Sequence, residues 1–315
     1  MDRFLTIEAF VTVAQAQSFA EAARQMRLSK SVVTARVQQL EEFVGAPLFH
    51  RNTRNVRLSE VGQAFLQDCI DLVGRTDALT DQMRELKGSL AGRLRVHALP
   101  GFTLGHMATH LREFQERYPE IVLDIFVNDA VVDPIKEGFD CALQIFRPSS
   151  EDLVERKIFP LRRVFCASPA YLARHGTPRH PRDLLGHRLG LYSGYPTRDK
   201  LVFQGAPQKI VLDLKPALLS NSVHLLNEYA CEHAGIVCIP TLVASKSLVK
   251  GQLVPVLPSW PLSSFWFSAV YSRSHRGGAK LRLFIESLLA RYSDDQPWDT
   301  ALIAKGLLTP TTNIE

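Results

Sequence analysis

Residues 29–40 read Ser29-Lys30-Ser31-Val32-Val33-Thr34-Ala35-Arg36-Val37-Gln38-Gln39-Leu40. Val33, Val37 and Leu40, continued by Val44, recur at intervals of four, three and four, the stripe of a helix that buries one side. Ser29 is a natural N-cap for it. The other side carries Ser31, Thr34, Ala35 and Gln38, with Lys30 and Arg36 alongside. Small side chains let such a helix sink into the major groove of duplex DNA, where hydroxyls and an amide read base edges and cations reach bases or phosphates. The bland alternative is a solvated face of an amphipathic helix, and the flanking residues weigh against it.

Upstream, Phe4, Ile7, Phe10, Val11 and Ala14 form one helical stripe, and Ser18-Phe19-Ala20-Glu21 is a capping box that opens a second helix through Ala22, Ala23 and Met26. The turn Arg27-Leu28-Ser29 joins that helix to the quoted one, which gives a helix-turn-helix at about residues 18–37. Downstream, Gly45 suits a left-handed cap, and Leu48-Phe49 and Val56 with Leu58 flank the turn Asn52-Thr53-Arg54-Asn55, predicting a basic β-wing. Between residues 24 and 57 stand seven cations, Arg24, Arg27, Lys30, Arg36, Arg51, Arg54 and Arg57, against Glu41 and Glu42. Phosphate contact requires such a local excess. The DNA-binding candidates are therefore Ser29, Lys30, Ser31, Thr34, Arg36 and Gln38 on the helix and Arg51, Asn52, Thr53 and Arg54 on the wing.

Residues 59–87 predict a long helix capped by Ser59 and ended near Gly88. Phe65, Cys69, Leu72, Thr76, Leu79, Met83 and Leu86 recur along it at alternating intervals of four and three, the seam of a two-helix packing. At about 1.5 Å per residue the helix is roughly 40 Å long, too long to be covered by a sixty-residue head. A second copy of the chain is the expected cover, with Phe65, Leu72, Leu79, Met83 and Leu86 as the dimerisation residues, and a dimer would present two reading heads to two half-sites.

The matching residues Phe10-Val11, Ser18-Phe19, Ala22-Ala23, Leu28-Ser29, Val33, Leu40-Glu41, Gly45, Leu48-Phe49, Arg51, Arg54 and Leu58-Ser59-Glu60-Val61-Gly62 resemble the N-terminal segment of LysR-type transcriptional regulators. The resemblance is specific over residues 1 to about 65 and looser to about 292. It implies an α/β chain made of an all-α winged helix-turn-helix domain over residues 1–58, a linker helix over 59–88 and a two-lobed effector domain resembling periplasmic binding proteins over 92–292, with a tail at 293–315. In such an effector domain the first lobe would comprise about 92–163 and 268–292, and the second about 164–267. Double-stranded DNA, a small-molecule effector, a homodimer or homotetramer, and RNA polymerase are the partners this implies. Many members carry Ser-Gln-Pro where this chain has Ser29-Lys30-Ser31, and its arginine is displaced to Arg36 behind Thr34-Ala35, so base preference does not carry over.

From Gly92 onward strands alternate with helices, which argues for a mainly parallel sheet. Ligands of such sheets bind beyond the C-terminal strand ends. The effector-binding candidates are therefore Pro100, Gly101, Phe102 and Thr103 after the first strand, Asn128 after the second, Gln144 and Arg147 at the third, Ser193 in the other lobe, and Asn221 and Ser222 at a helix start. Hydroxyl-bearing helix starts facing a cleft beside Arg147 would suit a small carboxylate. The competing use of each Ser, Thr or Asn is an ordinary N-cap.

The chain of 315 residues is long for one core, its net charge is +5, and it contains no apolar run long enough to span a bilayer. Its N-terminus enters an amphipathic pattern at once, without the features of a secretory signal, and this predicts a cytoplasmic protein. Five scattered cysteines, none in a CxxC pair, point to reduced thiols. Enzyme signatures are weak. His106 and His110 lie one helical turn apart, but Met107 stands where a zinc peptidase has its glutamate. Ser193 is one residue out of register with a nucleophile elbow, and Ser247 with Lys250 matches S-x-x-K without its companion motifs. No catalytic residue, metal or cofactor is expected. The alternative is an enzyme or solute-binding module carrying a DNA-binding head.

Overall fold

Capping side chains set the first helices. In α1 (Arg3–Ala16) the Asp2 carboxylate accepts from the amides of Phe4 and Leu5. In α2 (Phe19–Gln25) Ser18 Oγ accepts from Glu21 N at 3.3 Å, while the Glu21 carboxylate, expected to close the capping box, pairs with Arg24 instead. Arg27 makes the following turn in the left-handed region, φ 55°. In α3 (Lys30–Val44) Ser29 Oγ accepts from Val32 N, and Gly45 at φ 76° ends the helix. Val33, Val37 and Leu40 are buried against Phe10, Ala22 and Leu48, which closes the head's core.

The structure, a computed structural model, describes residues 2–50, 56–86, 90–148, 150–195, 200–203, 210–273, 278–294 and 296–310. The wing begins with an antiparallel bridge between Phe49 and Leu58 and a bond from His50 N to Arg57 O at 2.8 Å. Ser59 Oγ then caps α4 (Glu60–Leu86) by accepting from Gly62 N at 3.0 Å, and it donates to Pro47 O.

The first lobe starts with β1 (Gly92–Ala98), α5 (Pro100–Phe102), a kinked π-type turn over Thr103–Met107 and α6 (Ala108–Arg117). A single helix is predicted across Thr103 to Tyr118; the break falls where Gly105 takes φ 119°. Then follow β2 (Ile121–Val127), α7 (Pro134–Glu137), β3 (Cys141–Gln144) and β4 (Leu153–Leu161). The chain crosses at Arg162 into the second lobe, β5 (Arg163–Ala167), α8 (Pro169–His175), β6 (Leu189–Tyr192), β7 (Lys200–Phe203), β8 (Ile210–Asp213), β9 (Leu218–Ser220), α9 (Val223–Cys231), β10 (Ile236–Pro240), α10 (Thr241–Val249) and β11 (Val254–Val256). It returns as β12 (Phe265–Ser272), followed by α11 (Ala279–Tyr292) and α12 (Pro297–Ala304).

The two sheets have the orders β2-β1-β3-β12-β4 and β11-β5-β10-β6-β9. The expected mainly parallel arrangement is corrected to a mixed one. Strands joined through βαβ units run parallel, whereas β12 lies antiparallel to β3 and β4, and β5 antiparallel to β10 and β11. The cause is topological: β12 in the first sheet and β5 in the second, each next to a crossing between the lobes, enter from the opposite end.

The tail expected from its Pro and Thr content to lack order is corrected in part by α12. Trp298 stands edge-on to Phe159 and stacks on Tyr292 in the first lobe, while α12 lies along α10 of the second. Lys305 Nζ donates to Val249 O and Arg162 Nη2 to Thr309 O. The head rests on the first lobe through Gln15, whose amide donates to Glu137 O at 3.3 Å and accepts from Arg95 Nη1 at 3.4 Å.

Candidate nucleic-acid interface and ligand cleft

Because α3 spends Val33, Val37 and Leu40 on the core, Ser29, Lys30, Ser31 and Gln38 are left exposed and Thr34 half-exposed. Ser29 and Ser31 hydroxyls lie 2.9 Å apart, and Thr34 Oγ1 donates back to Lys30 O at 2.8 Å, which leaves the oxygen free to accept. Arg36 belongs to a neighbouring stripe with Val32, Ala35 and Gln39, over a hollow bordered by Asp2 and Leu5 of α1. Arg51, Asn52, Thr53 and Arg54 lie outside the described residues; Arg57, at the wing's base, is exposed.

Two positions that the sequence reading did not single out for this interface hold the wing, one to the reading helix and one to α4. Glu41 Oε1 accepts from Leu48 N at 2.7 Å and Phe49 N at 3.2 Å. Gly62 brings α4 so close that a Cβ there would stand 2.1 Å from Leu48 O.

Along α4 the predicted seam divides. Phe65 is half-buried, its ring stacked on Phe10 at 6.0 Å, and Cys69 is buried, so both serve the head's own core. Leu72, Leu79 and Met83 are 46%, 60% and 55% exposed, an apolar face that the other described residues leave uncovered. The Leu86 side chain lies outside the description.

Between the lobes lies a narrow, mostly apolar cavity, with about 360 Å³ of empty space when the open solvent at its mouth is included. The first lobe lines it with Leu99, Gly101, Phe102, Asp129, Ile145, Leu161 and Phe267, and the second with Tyr192, Tyr195, Val223, Pro240 and Leu242. Of the expected effector residues, Gly101 and Phe102 are there. The others lie outside this lining, each with a local partner or exposed. Thr103 Oγ1 donates to Leu99 O, and Pro100 O faces His224 Nε2 at 3.3 Å. Asn128 Oδ1 meets His97 Nε2 and Ala130 N, both at 2.8 Å, which turns it away and leaves Asp129 as the lining residue. Gln144 is fully buried and bonds both backbone groups of Val132. Arg147, the cation expected beside a carboxylate, donates outward to Ser150 O. Ser193 and Asn221 are exposed, and Ser222 is an N-cap accepting from Leu225 N while Val223 lines the cavity.

Burial raises the Asp129 carboxyl, opposed by the nearby His224, and burial together with Asp129 raises the Tyr192 phenol to about 12. The lobes also meet through His106, whose Nε2 faces Leu242 O at 2.8 Å. His110, one turn on, meets Ser287 Oγ at 3.3 Å, so the two imidazoles are engaged with separate partners.

A winged head with an open polar ridge, set on a two-lobed domain that closes around an interior cavity, defines a DNA-binding regulator of the ligand-responsive kind. The comparisons with known proteins identify which kind. Residues 4–63 match the bacterial regulatory helix-turn-helix protein, lysR family, and residues 87–293 the LysR substrate binding domain. An uncharacterized HTH-type transcriptional regulator of Escherichia coli K12, YhjC, is 30% identical over 290 residues, covering 91% of this chain and 97% of that protein. The solved LysR-type regulator CrgA of Neisseria meningitidis is 27% identical with a TM-score of 0.59 over 91% of this chain and 97% of its own. The full-length Vibrio cholerae virulence activator AphB shares the fold, with a TM-score of 0.62 at 24% identity over 91% and 98% of the two chains.

The chain belongs to the LysR family: it is a transcriptional regulator, with a helix-turn-helix DNA-binding domain and a substrate-binding effector domain, and not an enzyme. Among the described residues no helix is long and apolar enough to cross a membrane.

Proposed function

We propose that this regulator reads duplex DNA with the Ser29–Gln38 ridge of α3 and the Arg51–Arg54 wing, as a homodimer joined along α4, in the cytoplasm. What carries the reading is the division of labour on α3. Its apolar stripe is consumed by the head, and the remaining face is short-chained, polar and flanked by Lys30 and Arg57. The uncovered Leu72, Leu79 and Met83 support pairing with a second copy, which sets two heads at a fixed spacing. Pairing of dimers into a tetramer and contact with RNA polymerase belong to the same reading.

An effector held in the cavity between Phe102 and Tyr195 acts by favouring one lobe arrangement over another, since a guest that binds both equally shifts nothing. The contact of Gln15 with Arg95 and Glu137 gives the first lobe a grip on the head. Replacing Lys30 or Arg54 by Ala should weaken binding to the native operator by about tenfold at fixed salt and lower the salt dependence. Unchanged operator affinity in both variants, read by fluorescence anisotropy, refutes the assigned surface.

A further inference from the structure

Among the described residues that line the interlobe cavity, one side chain carries charge, and it is acidic: Asp129. Most of the remaining surface is hydrocarbon and ring, from Phe102, Ile145 and Phe267 on one side to Val223 and Leu242 on the other. Tyr195 is 4% exposed, its hydroxyl buried with the Arg163 guanidinium beside its ring.

The nearby cations point elsewhere. The Arg163 guanidinium lies over the rings of Tyr195 and Phe265 at 4.8 and 4.3 Å and donates from Nη2 to Ser263 O. Arg147 turns outward to Ser150. His224 faces the carbonyl of Pro100.

From this distribution of charge we propose that the effector is a compact amine, its hydrocarbon or single-ring body in the apolar slot and its protonated nitrogen on Asp129. The proposal rests on reading the cavity as the effector site. A carboxylate guest would bring a second negative charge beside Asp129 in a poorly solvated space, which is costly. An ammonium does the reverse: it replaces the water that Asp129 gives up on burial, and the ring face of Phe102 favours a cation nearby. Tyr195 Oη can accept a second N–H.

The test uses the full-length protein and three probes that share a ring and differ in charge: benzylamine, benzyl alcohol and benzoate, titrated by calorimetry at fixed pH and salt. Benzylamine should bind about tenfold more tightly than benzyl alcohol, with benzoate the weakest. Asp129→Asn should remove the advantage of the amine over the alcohol. Ile145→Trp, which fills a half-buried wall of the slot, should abolish binding of all three. Benzoate binding at least as well as benzylamine, and lost in Ile145→Trp, overturns the ligand class while leaving the cleft as the site. Benzylamine binding that persists in Ile145→Trp places the guest elsewhere and overturns the cleft reading as well. No measurable benzylamine binding at millimolar concentration overturns the amine proposal.

Discussion

Glu41 Oε1 lies 2.7 Å from the amide nitrogen of Leu48, and the same oxygen accepts from Phe49. One carboxylate on the reading helix thus fixes the start of the wing, so helix and wing approach DNA as a unit. Hydrogen bonds to an ionised acceptor contribute about 1.5–3 kcal/mol, and Glu41→Ala should destabilise the head by about that much. A thermal melt of the full chain checks this, and operator affinity should fall with it although Glu41 itself carries the wrong charge to hold phosphate.

Gly62 permits the contact between α4 and the wing strand. A methyl group there would meet Leu48 O at 2.1 Å, against backbone on both sides. Gly62→Ala should cost about 3 kcal/mol, at the upper end of overpacking effects, despite alanine's higher helix propensity. Urea unfolding followed by circular dichroism measures it; a stabilised variant would mean that α4 and the wing are not in contact.

Leu79 and Met83 face outward on a helix whose earlier apolar residues are already used by the head. Placing a glutamate at both positions should convert the proposed dimer to monomer while leaving each head folded. Sedimentation velocity reads the first effect, and operator binding should weaken because two half-sites are no longer engaged together.

Burial, and secondarily the Arg291 charge, lower the pKa of the His110 imidazole from its ordinary 6.5 to about 4. The folded ring therefore stays neutral where the unfolded chain takes up a proton. Its contribution to stability is complete above pH 6.5 and is lost progressively as the pH falls towards 4. The melting temperature should decline across that window, and His110→Gln should flatten the decline. His97 and His106 are lowered by burial in the same sense, so a residual slope remains.

The head was the legible part of this chain because its signals are local. Ser18, Ser29 and Ser59 sit where their oxygens cap the helices that follow, and the spacing of Val33, Val37 and Leu40 alone gives the buried face of α3. The cavity was not legible in the same way. Choosing polar residues just after strands and at a helix start picked Asn128, Ser193 and Ser222, which face local partners or solvent. Their neighbours Asp129, Tyr192 and Val223 face inward, a displacement of one residue that periodicity cannot register. The seam of α4 misled at Phe65 and Cys69 for a related reason: a heptad pattern records that a face is apolar but not which surface covers it. Helix α12 was hidden by its composition, since Trp298 and Leu302 find their partners on elements far away in sequence.

Bodies joined by two strands can swing like a clamshell about the line through the joints. Here α12 adds a third attachment off that line, wedging Trp298 among Phe102, His106 and Phe159 while leaning on α10 across the divide. Wide opening would have to part α12 from α10 while Trp298 stays seated in the first lobe, so this third attachment resists a clamshell swing and leaves short sliding of packed faces as the easier motion.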